Sequence, residues 1–441
     1  MRRRVKLCGA WDAHLETWWP AGTTLVSSAK RHRLVSHILR GAENQETPMT
    51  EAADSPNLHM AAPSVYLDLW VWIRLARAAI GAPRETSDTA VLTAVRDASA
   101  AGVVFPLSAT HYIEIGKITD PRQRADVARI TASVSHCRTM RSRRVLLRHQ
   151  MLHAMHVSFG RPTFRPSPPQ VLGIGAAWAL VGERAPLVLH GPSGRVDMDT
   201  VPELRDLLRK ANQYAEFQLL AGPRDEEIED LRRLGYRPEA IREVTRSRLA
   251  WEETYAGMLA DDPISRHELR VRVQAREILH EHYELLQELL TEYRIDLERE
   301  IGLDPDRPRS GRPRMTEFAD RMPSVRIAVD LKAALFSNQT KTWTVNALFD
   351  VDALSIAVPY CRVVVPDREM ANLLSRSKAG PRSGTRIVTR LRELPGELAD
   401  LQARIRPADG GSWDADWVAP DEDFCTDMED LRVLAPRRPS A

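Results

Sequence analysis

The chain has 441 residues, 43% of them hydrophobic and 28% charged, with a formal net charge of +2, which is the composition of a soluble globular protein. This length allows two or three domains, and the near-zero net charge excludes a whole-molecule field that would favour nucleic acid or membrane. The longest apolar run, residues 171–182, is shorter than the roughly 20 residues that span a bilayer, so we expect no membrane partner. The four cysteines form no C-x-x-C pair, which favours a cytoplasmic protein without a zinc ribbon.

The first part of the chain changes character near residue 60. Residues 1–60 show no clear periodicity, and we expect them to form a poorly ordered extension. Residues 61–138 alternate between β-rich runs, VYLDL and VVFPLS, and helical patterns. Ser108 or Thr110 is suited to cap the helix in THYIEIGK, and Pro121 is suited to start the next helix.

The remainder divides into three further segments. Residues 139–322 are mostly helical, with one long amphipathic helix predicted at about 264–301, and we expect this insertion to govern substrate choice or assembly, including homo-oligomer formation. In residues 323–406 the alternating pattern returns, with the strand CRVVV between helices. The acidic tail, residues 407–441, completes the chain. This order predicts one α/β domain that a large helical insertion splits in two, so that its halves must meet in space.

Acidic residues mark the ends of the predicted strands and the helices that follow them. They are Asp68 in VYLDLWVWI, Glu114 in PLSATHYIE, Asp352 in FDVDALSIA and Asp367 in VVVPDRE. Carboxylates at the carboxyl ends of strands in an open α/β sheet point towards its ligand crevice. If they converge there they repel one another unless a divalent cation neutralises them, and oxygen ligands suit Mg²⁺ or Mn²⁺. Asp350 lies two residues from Asp352 and cannot share its helical face well, so we rank it as auxiliary.

These four motifs, in this order and on these elements, resemble the acidic motifs of PIN domains. The resemblance covers residues 63–137 and 343–398. It implies a parallel sheet flanked by helices and a metal-dependent endoribonuclease, with single-stranded or structured RNA as substrate and Mg²⁺ or Mn²⁺ as cofactor. The catalytic and metal-binding residues that it implies are Asp68, Glu114, Asp352 and Asp367, with Asp350 as an auxiliary metal ligand.

Two positions depart from that pattern. Arg362 follows PYC, where an acid often stands in such split domains, and Ala347 follows Asn346, where an aspartate often stands. A cation beside the site would weaken metal binding. These departures favour the alternative of a PIN-like binding or scaffold protein without catalytic activity.

Two basic stretches are candidates for contact with RNA. The loop SRSKAGPRSGTR follows the fourth acidic motif, and we expect nucleic-acid contacts from Arg376, Lys378, Arg382 and Arg386. Residues 117–148 carry nine Lys and Arg residues against two aspartates. That stretch is either a face that follows phosphates or an ordinary solvated helix surface.

Overall fold

The computed structural model describes residues 58–185, 190–191, 194–195, 202–233, 235–261, 264–304, 306–307, 309–338 and 341–405. The predicted N-terminal extension lies almost entirely outside these described residues, and the acidic tail lies outside them altogether. The structure is α/β and mostly helical, with a small parallel sheet of three strands. Among the helices in the described ranges, none has both the length and the apolar character needed to cross a membrane.

The elements are numbered in chain order. The strands are β1 (Val65–Leu67), β2 (Arg138–Met140), β3 (Leu172–Ile174), β4 (His190–Gly191), β5 (Gly194–Arg195), β6 (Val363–Val365) and β7 (Arg386–Ile387). The helices before residue 265 are α1 (Leu69–Ala79), α2 (Ser87–Ala100), α3 (Ala109–Ile115), α4 (Pro121–Ser135), α5 (Arg143–Phe159), α6 (Gly175–Leu180), α7 (Pro202–Ala221), α8 (Ile228–Arg233) and α9 (Pro238–Asp261). The helices after it are α10 (Arg266–Arg276), α11 (Tyr283–Glu292), α12 (Leu297–Glu300), α13 (Arg312–Asp320), α14 (Pro323–Phe336), α15 (Val345–Tyr360), α16 (Arg368–Arg376), α17 (Ala379–Ser383) and α18 (Leu394–Gln402).

The parallel sheet joins the two ends of the described chain. Its order is β1, β6, β7, and Val65 pairs with Val363 while Leu67 pairs with Val365. Both β1 and β6 are fully buried, which explains why their sequences are runs of apolar, largely β-branched residues. The two distant parts of the chain therefore do meet, at the centre of this sheet.

Hydrogen bonds extend the sheet beyond β1. The amide of Val65 donates to Val104 O at 2.8 Å, and on the next segment the amide of Leu107 donates to Arg138 O at 2.8 Å. Residues 103–107 thus lie between β1 and β2, joined to each side by isolated parallel bridges. The sequence predicted a regular strand here, but Pro106 has no amide hydrogen for the ladder. The parallel order is β2, residues 103–107, β1, β6, β7.

The sheet separates two hydrophobic cores. Val65 and Leu67 point into one core with α1, α2, α4 and α18, whereas Tyr66 points into the other with α5, α10, α14 and α15. This alternation along β1 is the two-residue period of a strand. Much of the helical insertion therefore packs on one face of the sheet.

The single long helix predicted for residues 264–301 is wrong. The stretch forms α10, a π-helical segment at Glu277–Glu281, then α11 and α12. Arg294 adopts φ 52°, a left-handed conformation that a continuous helix does not allow. The apolar period was correctly recognised, but it belongs to successive short helices that pack against the same core.

Candidate metal-binding acidic site

Two acids lie at the carboxyl ends of neighbouring parallel strands. Asp68 directly follows β1, and Asp367 follows β6 after Pro366. Each also caps the next helix: Asp68 Oδ1 accepts the Leu69 amide at 2.7 Å, and Asp367 Oδ1 accepts the Met370 amide at 2.6 Å. Because β1 and β6 pair in parallel, both carboxylates lie at the same edge of the sheet.

Glu114 is carried on α3, which is fastened to the end of β1 by a buried histidine. The Ser108 amide donates to His111 Nδ1 at 3.0 Å, so Nε2 holds the proton and donates to Leu67 O at 2.9 Å. Burial lowers the pKa of His111 to about 4, so the ring is neutral at physiological pH. Sequence analysis did not single out His111, although it stands at the third position of a helix whose capping serine was recognised.

The charges of these acids act on Asp350. Burial, followed by the charges of Asp68, Asp367 and Glu114, raises the pKa of Asp350 to about 9, while Lys341 lowers it. Asp350 therefore lies with the three acids at this edge of the sheet, although it comes from a helix more than 230 residues after Glu114 in the chain. We call Asp68, Glu114, Asp350 and Asp367 the acidic site.

The acids of this site also raise one another's pKa. Burial raises the pKa of Glu114 to about 7, with a further contribution from Asp68 and an opposing one from Lys117. Burial likewise raises the pKa of Asp68 to about 6; the Leu69 amide opposes this rise, and the charge of Asp367 adds to it. Asp68, Glu114 and Asp350 therefore resist full ionisation when they lie together.

Asp352 lies in a different environment. Its Oδ1 accepts Arg143 Nη1 at 2.5 Å and Arg248 Nη2 at 3.0 Å, and its Oδ2 accepts Arg248 Nη1 at 2.6 Å. Burial would raise the pKa of Asp352, but the charges of Arg248 and Arg143 outweigh it and hold the pKa at about 2. The sequence ranked Asp352 as a principal acid and Asp350 as auxiliary, and the structure reverses their positions. Residues two apart on a helix point about 200° apart, so only one of them can face the other acids.

The sequence predicted that the loop with Arg376, Lys378, Arg382 and Arg386 would lie beside the acids, but the loop lies elsewhere. Helix α16 starts at Asp367 and returns along the sheet, so the loop reaches the opposite edge, where β7 begins. There Arg382 pairs with Asp330, and Arg386 Nε donates to Glu397 at 2.7 Å. A three-residue strand separates the two edges by about 10 Å. Contact with RNA stays a prediction for these side chains, at a surface away from the acids.

The structure also shows where Arg362 and Ala347, the two departures from the expected pattern, lie relative to the acidic site. Arg362 is exposed and directly precedes β6, so it lies at the same distant edge as Arg386, whose amide donates to Arg362 O at 2.8 Å. It therefore places no cation beside the acidic site. Ala347 is buried, and its amide donates to Thr344 Oγ1 at 3.1 Å in the first turn of α15.

Two arginines of the basic stretch at residues 117–148 form ion pairs with glutamates on α11. Arg144 donates to Glu288 at 2.7 Å and Arg148 donates to Glu292 at 2.6 Å, both across to α11. These ion pairs favour an ordinary helix surface for this part of the stretch. Lys117 differs, because its Nζ lies 3.8 Å from the centre of the Phe349 ring, next to Asp350, and its charge acts on Glu114.

The donor chemistry of the acidic site fits a hard divalent cation. Carboxylate oxygens are the ligands that Mg²⁺ and Mn²⁺ prefer, and the mutual repulsion of these acids is what such a cation relieves. Within the described ranges, however, no three His, Cys, Asp or Glu side chains form a ready set of metal ligands. Mg²⁺ usually keeps several waters and takes only one or two carboxylates directly. The set therefore fits a hydrated ion better than a closed protein cage.

Similarity to known proteins adds nothing to this picture. Comparisons with protein-family models, curated protein sequences and solved structures found no match to the chain.

Proposed function

We propose that the chain is a PIN-like, metal-dependent ribonuclease, which hydrolyses RNA phosphodiester bonds at the acidic site. The observation that carries this proposal is the convergence of Asp68, Glu114, Asp350 and Asp367, whose charges act on one another although they come from distant parts of the sequence. Keeping four such groups together without a cation is unfavourable, so a function that supplies the cation accounts for them.

The sheet order supports the PIN-like reading. After β1, the chain adds residues 103–107 and then β2 on one side of β1, and it later adds β6 and β7 on the other side. The strand order therefore reverses between β1 and β6, and such a topological switch point is where open parallel sheets bind ligands. Asp68 and Asp367 follow those two strands directly.

Each part of the acidic site has a chemical task in this proposal. Bound Mg²⁺ or Mn²⁺ supplies charge neutralisation at the phosphate and a water that ionises near neutral pH. Asp68, Asp367 and Asp350 would hold the ion, in part through its waters, and Glu114 would orient a water from the adjacent helix. Lys117, held over the Phe349 ring, is a cation available to a non-bridging phosphate oxygen.

A second candidate is a PIN-like RNA-binding or scaffold protein without catalytic activity. The observation that favours it is the lack of a ready set of metal ligands in the described part of the chain. Such a protein would bind RNA at the same edge of the sheet but leave it intact.

Cleavage of a labelled single-stranded RNA in Mn²⁺ tests the proposal and separates the two candidates. We expect Asp68→Asn, Asp350→Asn and Asp367→Asn each to reduce the rate at least 100-fold, by analogy with the loss of other electrostatic catalytic groups. Asp120→Asn is the matched control, because Asp120 caps α4 through the Arg122 amide at 2.8 Å and lies outside the site. Binding of RNA by a parent protein that never cleaves it would favour the scaffold. Full activity in the site variants would exclude this site as the centre of hydrolysis.

A further inference from the structure

A buried network of charged groups lies on the far side of α15 from the acidic site. Arg143 bridges Asp352 and Glu277, at 2.5 and 3.1 Å, and Lys332 bridges Glu277 and Glu252, at 2.7 and 3.1 Å. Lys332, Glu252 and Glu277 are each no more than 2% exposed. Burial of so many charges is tolerated only when each has partners of opposite sign.

The charges of this network balance. The cations are Arg143, Arg248, Arg276 and Lys332, and the anions are Glu252, Glu277, Glu281 and Asp352. Burial lowers the pKa of His282, so that ring adds no charge at physiological pH. Because the network is internally neutralised, it needs no metal ion or substrate to complete it, and its role must lie in what it connects.

It connects the helical insertion to the helix that carries Asp350. Asp352 on α15 and Lys332 on α14 are its only members after residue 322, and all the other members belong to the insertion. Arg248 donates hydrogen bonds to both carboxylate oxygens of Asp352, and Arg143 donates a third. We call these three bonds the grip on Asp352. A bidentate guanidinium fixes direction as well as distance, which a single point charge does not.

That grip acts together with core packing to set where Asp350 points. Asp350 and Asp352 are separated by about 3 Å along the helix axis and by about 200° around it. Fixing Asp352 on one face therefore fixes both the rotation and the height of α15, and with them the approach of Asp350 to the other acids. Apolar residues of α15, such as Leu348 and Val351, also pack in the core. The Thr344 hydroxyl caps the start of the helix by accepting the Ala347 amide at 3.1 Å.

We propose that Asp352 is a positioning residue through which the helical insertion, by way of Arg143 and Arg248, holds Asp350 in the acidic site. This inference rests on the proposed function, since it concerns the geometry of the metal site. It makes the insertion part of the hydrolytic centre rather than a separable appendage. Loss of the grip would loosen α15 around Asp350, while apolar packing keeps the helix in the core, and would weaken the site for Mn²⁺ without removing any acid.

The test compares full-length variants that break this grip with one that breaks an equivalent ion pair elsewhere. Asp352→Asn removes the charge, and Arg248→Lys keeps the charge while losing the two-pronged contact, so it remains informative if Asp352→Asn does not fold. Arg312→Met is the matched control, because Arg312 binds Glu268 at 3.0 and 3.2 Å between α13 and α10 and does not contact Asp352. All variants are first compared by urea denaturation.

Two measurements follow, and the first needs no metal. In EDTA, hydrogen exchange at the amides of residues 349–353 should be at least fivefold faster in Arg248→Lys than in the parent, and unchanged in Arg312→Met. In calorimetric titrations, Mn²⁺ affinity should fall at least tenfold in both grip variants, with kcat lowered and KM for RNA retained. Equal exchange and equal Mn²⁺ affinity in parent and grip variants would overturn the inference. A parent that binds no Mn²⁺ and cleaves no RNA would instead overturn the proposed function, so the two failures are distinguishable.

Discussion

Asp350 and Asp352, two residues apart on α15, have opposite electrostatic surroundings. Burial, with the charges of three carboxylates, raises the pKa of Asp350 to about 9, whereas two arginines outweigh burial at Asp352 and hold its pKa at about 2. The helix thus separates a charge-neutralised interior from an edge with excess negative charge. This relationship leads to predictions for stability, for metal binding and for contact with RNA.

The first prediction concerns the buried pair of Asp352 and Arg248. Asp352→Asn should lower the free energy of unfolding by about 3–5 kcal/mol, because it removes the main anion of two buried guanidinium groups and leaves the network with an excess positive charge. Replacing both partners, as in Asp352→Leu with Arg248→Met, should cost much less, since the network then keeps equal numbers of positive and negative charges. Urea denaturation at pH 7 measures both. A double variant less stable than Asp352→Asn would contradict this account of the pair.

The second prediction concerns stability against pH. In the folded state Asp350 has a pKa near 9, above its unfolded value, so folding favours its protonated form. The free energy of unfolding should therefore fall as the pH rises from about 4 to 9 in EDTA. Asp350→Asn removes this penalty and should stabilise the protein at pH 8 by about 1–3 kcal/mol, reduced from the full shift because the site is partly open to water.

Thermal melts of the parent and Asp350→Asn between pH 5 and pH 9 check this. Mn²⁺ should raise the melting temperature of the parent at pH 8 more than that of the variant, since a ligand that binds only the folded state stabilises it. A variant that is less stable than the parent at pH 8 in EDTA would show that the carboxylates do not repel one another as described.

The elements that carry the acids could be predicted from the sequence, and the choice between neighbouring acids could not. Buried β-branched runs indicated β1 and β6, and residues such as Ser108 and Pro121 indicated where helices begin. Which of Asp350 and Asp352 faces the sheet edge depends on Arg248, which is 104 residues away in the chain. No local pattern contains that information. The distant position of Arg386 likewise depends on strand pairing with β6 rather than on its nearness to Asp367 in sequence.

The third prediction concerns Lys117, whose charge acts on Glu114. Lys117→Met should tighten Mn²⁺ binding about two- to fivefold, because it removes a cation whose charge opposes the binding of Mn²⁺ to the carboxylates. The effect is small because Lys117 is accessible to solvent. The same change should slow RNA cleavage, because the phosphate loses a contact. Calorimetry and single-turnover cleavage measure these opposite effects, with Lys378→Met as a control at the far edge. A fall in both quantities would show that Lys117 serves only to hold the fold.

The fourth prediction concerns the basic loop at the far edge of the sheet. Arg376→Gln with Lys378→Gln should leave cleavage of an RNA of about five nucleotides unchanged, since both side chains lie about 10 Å or more from the edge that carries Asp367. A longer RNA that reaches this surface should bind with a shallower dependence on salt in the double variant. Loss of cleavage on the short RNA would mean that the loop reaches the acids.

A crystal soaked in Mn²⁺ and measured at the manganese absorption edge tests the central claim most directly. The account predicts an anomalous peak among the carboxylates of Asp68, Asp350 and Asp367, with Asp352 still bound to Arg248. A fully soaked crystal without a peak there, or with Mn²⁺ bound to Asp352 instead, would contradict it.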